Sequence, residues 1–344
     1  MYSFFVSEYI SKYSRFDVVF FFYYIIILFY YLFVKYFVDK VGIDYIYKFI
    51  KLLFKVMVVL GFIQLAFGGV YFNTQARLPA VNIFFWNENE FSAVLGGCIL
   101  LFYLGEKGKI KFLWIAAASY LILHNGARLV LLSIILFFLT EILLKIPIFK
   151  KGYIGFGILF GVVILVFLGI KDVELGPGLS LQEVLLYPLN QIANLEPVYN
   201  VGSINNRLNA VIYGVIELKR SYFLGIGPGN SIPMMVENIV PGTEKFTAYS
   251  MHNFIFQIIT ELGILGMTYL IWLTFVVIKA IKSNDVFPLG TKVVFYISLC
   301  LCITLLSGPH SNYFFQFIFF YSIFFFRDYE EKGHIKVEKK IAVY

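Results

Sequence analysis

This sequence is short of charge. Asp, Glu, Lys and Arg together make up only 14% of its 344 residues, where soluble domains carry about 25%. A water-soluble core is therefore excluded as the main architecture. Cysteine is scarce too, and Cys98, Cys300 and Cys302 all fall inside apolar runs. They read as small buried hydrophobes, with no disulfide or metal pattern among them. No acidic cluster and no His/Cys spacing suits a metal, so neither a metal nor a cofactor is expected. The N-terminus lacks a short apolar core followed by a small-residue cleavage site, so no cleavable leader is expected. Internal repeats and low-complexity segments are absent as well. Arginine is the scarcest cation, with six residues against twenty-two lysines.

What the chain has in abundance is apolar length. Hydrophobic residues reach 60% and the mean hydropathy is +0.81. Apolar runs near the roughly 20 residues that a bilayer requires recur along the whole chain. They predict an all-α integral membrane protein, a polytopic bundle of about nine transmembrane helices forming a single domain over 1–344. The spans are placed at 17–35, 48–67, 90–105, 110–124, 128–145, 152–170, 252–281, 290–306 and 310–326. The 252–281 run is too long for one straight span. Gly263 and Gly266 are expected to break it into a short interfacial helix and a span proper.

Lysine sets the expected orientation and accounts for the net charge of +7, so no nucleic-acid partner is expected. Lysines cluster at 35–55, 107–111, 145–151 and 279–292 and in the C-terminal tail. These connections alternate, which places them in the cytoplasm by the positive-inside rule. The intervening connections then face outward, including 171–251, the one long polar stretch. A loop of that length is usually functional. It contains turn signals at Gly176-Pro177-Gly178, Gly225 to Gly229 and Pro241-Gly242. A helix is predicted at about 204–219, capped by Ser203, with an apolar stripe of Leu208, Val211, Ile212, Val215 and Ile216.

In a chain that otherwise uses lysine, Arg77, Arg128, Arg207 and Arg220 all fall on the expected outer side. The guanidinium fork grips phosphate or carboxylate at two points and keeps its proton. These four therefore point to an anionic ligand outside, or else serve as interfacial anchors and loop ion pairs. His252 opens the helix after the long loop, where it can act as a general base or acid. Behind it, Asn253, Gln257 and Glu261 share one helical face at i, i+4 and i+8. Gly225-Ile226-Gly227-Pro228-Gly229-Asn230 lacks the residues of a nucleotide phosphate loop. It reads as a tight external turn that lets backbone approach a ligand, with Gly227 and Asn230 as candidate contacts.

In their order these residues resemble the O-antigen ligase/polymerase superfamily, which includes Wzy-type polysaccharide polymerases. The resemblance covers about 80–325 of the sequence. Its elements are an Arg at the outer start of a span (Arg128), a long external loop with a second Arg on a helix (Arg207), a glycine turn (Gly225–Asn230), and a His-Asn-x-x-x-Gln-x-x-x-Glu-x-Gly stretch (His252 to Gly263). Asn89-Glu90-Phe91 is similar to the family's Pro-Asn stretch, with Glu88 where Pro is usual. Ala127 precedes the first Arg where Ser is common, and Tyr213 stands in the region of a frequent Trp.

The resemblance implies a metal-independent glycosyltransferase in a bacterial cytoplasmic membrane, with its active site facing outward. The donor would be a glycan on a polyprenyl diphosphate, and the other partners a glycan acceptor, the lipid bilayer, and a flippase and chain-length regulator of the same pathway. Arg128 and Arg207 would neutralise the leaving diphosphate. His252 would take the proton of the attacking sugar hydroxyl or orient it. Asn253, Gln257, Glu261, Arg77, Arg220, Gly227 and Asn230 would contact substrate, with Gln257 and Glu261 alternatively orienting His252. The expected site is a cavity at the outer face, floored by helix ends and covered by the loop. Joining of repeat units and transfer of a finished chain to lipid, wall polymer or protein remain alternative outcomes, with a transporter or flippase less favoured.

Overall fold

The computed structural model describes residues 18–67, 81–83, 85, 88–145, 174–176, 179–180, 194–195, 203–238, 251, 253–283, 286–303 and 313–341. The helices are α1 (Val18–Val41), α2 (Ile43–Phe67), α3 (Glu88–Gly105), α4 (Ile110–His124) and α5 (Arg128–Leu144), then α6 (Ser203–Arg220), α7 (Ser231–Glu237), α8 (Phe254–Leu262), α9 (Ile264–Ile281), α10 (Leu289–Ile303) and α11 (Tyr313–Ile341). One short antiparallel pairing joins β1 (Glu174–Gly176) to β2 (Leu179–Ser180), flanking the predicted Gly176–Gly178 turn.

Among the described residues, three helical stretches are long and apolar enough to cross a membrane: Phe22–Val41, Ile43–Phe67 and Ile264–Ile281. Shorter apolar helices cover Ile110–His124, Leu289–Ile303 and Tyr313–Arg327. The predicted span at 152–170 lies outside the described residues. The expected break in 252–281 falls at Gly263, which ends α8 at φ +56. Gly266 instead continues α9, and its missing side chain lets the Ile258 carbonyl approach. The predicted 204–219 helix is α6. Of its expected apolar stripe Ile212 is buried, while Val211, Val215 and Ile216 are half-buried and the Leu208 side chain lies outside the described set.

The chain divides into two compact units. The first comprises Met1–Ile25, Tyr153–Ile271 and Ser307–Pro309; the second comprises Ile26–Gly152, Trp272–Leu306 and His310–Tyr344. At the centre of the second unit lies α3, buried without a break from Glu90 to Phe102. Its small residues Ser92, Ala93, Gly96, Gly97 and Cys98 let neighbouring helices come close, as membrane helix packing requires. A side chain at Gly96 would meet Val130 of α5 at 2.6 Å and Cys302 of α10 at 3.3 Å. Ser298 of α10 donates to the Ser133 carbonyl of α5 at 2.9 Å. Outward, the same unit exposes Phe29 (60%), Leu52 (61%) and Ile142 (59%), as helices facing lipid do.

The second unit has distinct ends. Lys51 pairs with Glu106, joining the start of α2 to the α3–α4 connection. Lys111 donates to the carbonyls of Tyr103 and Glu106 at 2.9 and 3.1 Å, and Glu141 feels both Lys111 and Lys145. Lys40, Lys48 and Lys55 lie over Tyr36, Tyr45 and Trp114, the arrangement of amphipathic side chains at a membrane boundary. Lysines that are scattered in sequence thus gather at one end of the helices. The other end carries Gln64, Asn82, Asn125 and Arg128.

Candidate active site around the glycine turn

The glycine turn is built from the backbone outward. The C-terminal end of α6 runs into a turn at 221–225, where Tyr222 and Phe223 take φ values of +51 and +63. The chain then lies along the end of α8. Ile226 N–H donates to the Thr260 carbonyl at 2.9 Å, Gly227 N–H to the Glu261 carbonyl at 3.0 Å, and Ile264 N–H to the Phe223 carbonyl at 2.9 Å. Only glycines allow this approach. A Cβ on Gly225 would lie 2.6 Å from the Glu261 carbonyl oxygen, and one on Gly263 would lie 2.3 Å from the Phe223 oxygen. Both also have positive φ, +88 and +56, a region costly for residues with a side chain. Below the turn, Ala210, Ile226, Met234, Met235 and Met251 form a small apolar core against Tyr213 and Phe256.

Glu261 holds this arrangement together. Its side chain is 1% exposed. Oε2 accepts from Gly229 N–H at 2.8 Å and from the Tyr24 hydroxyl at 2.7 Å. Oε1 accepts from Gln257 Nε2 at 3.0 Å, from Ser231 N–H at 3.3 Å, and from the Ser231 hydroxyl. Burial pushes its carboxyl up from the usual carboxylate range. The bonds from Ser231, Gly229, Tyr24 and Gln257 act in the opposite direction without cancelling that effect. Four residues from α1, the glycine turn, the start of α7 and α8 therefore converge on one carboxylate.

The predicted residues occupy different positions relative to this clasp. Gln257 and Glu261 share a buried face of α8, as their spacing predicts, and bond to each other. Asn253 is the N-cap of α8, its Oδ1 accepting from Phe256 N–H at 3.2 Å. Gly227 is part of the backbone pairing. Asn230 is buried, and its Nδ2 donates to the Ile226 carbonyl at 2.6 Å. Arg220, exposed at the end of α6, pairs with Glu217 at 2.7 Å. Arg207 belongs to the first turns of α6, with its side chain outside the described set. His252 and Arg77 lie outside the described residues. Arg128 belongs to the other unit, exposed at the first position of α5. Among the described residues no group of three or more His, Cys, Asp or Glu could hold a metal ion.

Sequence reasoning missed Tyr24 and Ser231 as partners of Glu261. Tyr24 stands in an aromatic run with nothing to set it apart, and the serine hydroxyl is one of many in polar loop sequence.

Long apolar helices, exposed apolar faces and a lysine-rich end are the features of a helical membrane protein. Residues 112–271 match the family model described as O-antigen ligase, and this match supports the O-antigen ligase/polymerase superfamily for the chain. No curated protein and no solved structure matches it. The matched stretch contains Arg128, Arg207, the glycine turn and the His252–Gly263 segment, and the family supports a ligase/polymerase-type function.

Proposed function

We propose that this protein is a membrane glycosyltransferase that joins oligosaccharide repeat units, presented on a polyprenyl diphosphate, into a surface polysaccharide. The observation carrying this reading is the family match, which encloses both arginines, the glycine turn and the histidine in order. In a bacterial cytoplasmic membrane with the lysine-rich end inside, the glycan donor would be met outside. The leaving group is then a lipid diphosphate. Arg128 and Arg207 supply fixed positive charge where negative charge develops, without a metal ion. His252 accepts or orients the proton of the attacking sugar hydroxyl. Glu261 shapes the site by fixing the glycine turn to α8, and its oxygens are occupied by protein donors rather than held out to sugar.

Transfer of a finished chain to another acceptor is the second reading, favoured by the description of the matching family as a ligase. The donor and its chemistry are shared, and the acceptor differs. The glycan ladder of a deletion strain separates them. A polymerase leaves single repeat units on the carrier, a ligase leaves long polymer stranded on it, and a flippase leaves units on the cytoplasmic side. His252→Ala and Arg207→Ala each abolish chain growth while the protein still reaches the membrane. Normal ladders from both variants would refute the catalytic assignment.

A further inference from the structure

At the lysine-poor end of the second unit, two carboxamides from different helices hold one short segment. Gln64 of α2 accepts at Oε1 from the N–H groups of Asn82 and Ile83, at 3.1 and 2.8 Å, and donates from Nε2 to Asn82 Oδ1 at 3.1 Å. Asn125, the C-cap of α4, accepts at Oδ1 from Val81 N–H at 2.9 Å. Its Nδ2 donates to the Val81 carbonyl at 2.8 Å and to Ser92 Oγ at 3.1 Å, with a longer contact to the Glu88 carbonyl at 3.4 Å. A carboxamide presents a donor and an acceptor side by side, as a peptide group does, so Asn and Gln can pair with backbone where an apolar side chain of equal size cannot.

Arg128 follows Asn125 by three residues, and the turn between them has no slack. Gly126 N–H donates to the Leu123 carbonyl at 2.9 Å, and Ala127 N–H to the Ile122 carbonyl at 3.3 Å. These are the two bonds of a Schellman motif closed by a glycine at φ +68. Arg128 N–H then donates to the Gly126 carbonyl at 2.9 Å. Whatever fixes Asn125 therefore fixes the base of Arg128.

Local costs concentrate in the same place. Ile83 is β-branched yet takes φ +52, an outlier for such a residue. Among the described residues, Asn82 Nδ2 and His124 Nδ1 are buried with no hydrogen-bond partner, each an expense that folds usually avoid. Strain and orphaned polar groups that persist together mark functional sites more often than scaffolding.

We propose that Asn125 and Gln64 are positioning residues for Arg128. They clamp the 81–83 segment and the α4–α5 turn so that the guanidinium meets a diphosphate without first having to be ordered. This rests on the reading of Arg128 as a ligand of the donor's diphosphate. The test uses the full-length protein in nanodiscs, with a polyprenyl diphosphate carrying no glycan as the probe. Asn125→Leu and Gln64→Leu each weaken its binding about tenfold, as Arg128→Ala does, and Asn125→Leu combined with Arg128→Ala binds no worse than Arg128→Ala alone. Ser92→Ala removes a single bond to Asn125 and gives a smaller loss in the same direction, which keeps the test open should Asn125→Leu fail to fold. Wild-type affinity in the Asn125 and Gln64 variants, or losses that add in the double variant, overturns the positioning role alone. Wild-type affinity in Arg128→Ala overturns the role of Arg128, and this proposal with it.

Discussion

At the scale of single residues, Glu261 is the group on which the first unit turns. Leaving a buried polar group short of a partner costs about 1–3 kcal/mol, and five donors from four residues reach this carboxyl. Tyr24→Phe removes one donor without changing shape. It is expected to lower stability by about 1–3 kcal/mol, read as a reduced midpoint of thermal unfolding for the full-length protein. The titration of Glu261 gives a second test. Its folded carboxyl holds the proton more tightly than the unfolded one, so its contribution is complete below the ordinary carboxylate range and fades as pH rises through the folded value. Unfolding midpoints should fall with rising pH across that window, and Glu261→Gln, which cannot ionise, should lose that slope. A slope unchanged in the variant would assign the pH dependence elsewhere. The pairing of Gln257 with Glu261 was legible from their four-residue spacing. Tyr24 was not, because 237 residues separate it from Glu261 and no periodicity reports such a contact.

At the scale of elements, glycines decide which segments touch. Gly225 and Gly263 bring the turn and the α8–α9 junction backbone to backbone. Gly225→Ala places a Cβ where the Glu261 carbonyl stands and forces a positive φ on alanine. The backbone strain alone is on the order of 1–3 kcal/mol, so glycan chain growth is expected to fail in cells that still make the protein. In the second unit Gly96→Val drives a branched side chain into Val130. Overpacking of this kind costs about 1–3 kcal/mol, measurable as a lower unfolding midpoint. The sequence signalled the break at Gly263 because helix-breaking glycines interrupt an overlong apolar run. It could not tell Gly263 from Gly266. One ends a helix and the other admits the Ile258 carbonyl, and that difference depends on what lies opposite.

At the scale of the whole molecule, membrane character and helix order follow from composition and apolar periodicity, because burying or solvating these residues has no other favourable outcome. The gathering of lysines at one end of the second unit was anticipated from their alternation along the chain. Sidedness itself is open to a direct test. With the native cysteines replaced, Lys219→Cys should react with a membrane-impermeant maleimide on intact cells, while Lys107→Cys should react only after the cells are opened. Labelling in the reverse order would invert the orientation. The sequence by itself determined that the chain is helical and apolar, and that the order of its residues resembles the O-antigen ligase/polymerase superfamily, since residue type, spacing and order carry that information. Only the tertiary structure decided that Glu261 is a buried clasp with Tyr24 as its partner, that Asn253 caps a helix, and that Gln64 and Asn125 grip the segment beside Arg128. A polar side chain reads the same in sequence whether it meets substrate or backbone, and only the groups brought opposite it by folding fix which of these it does.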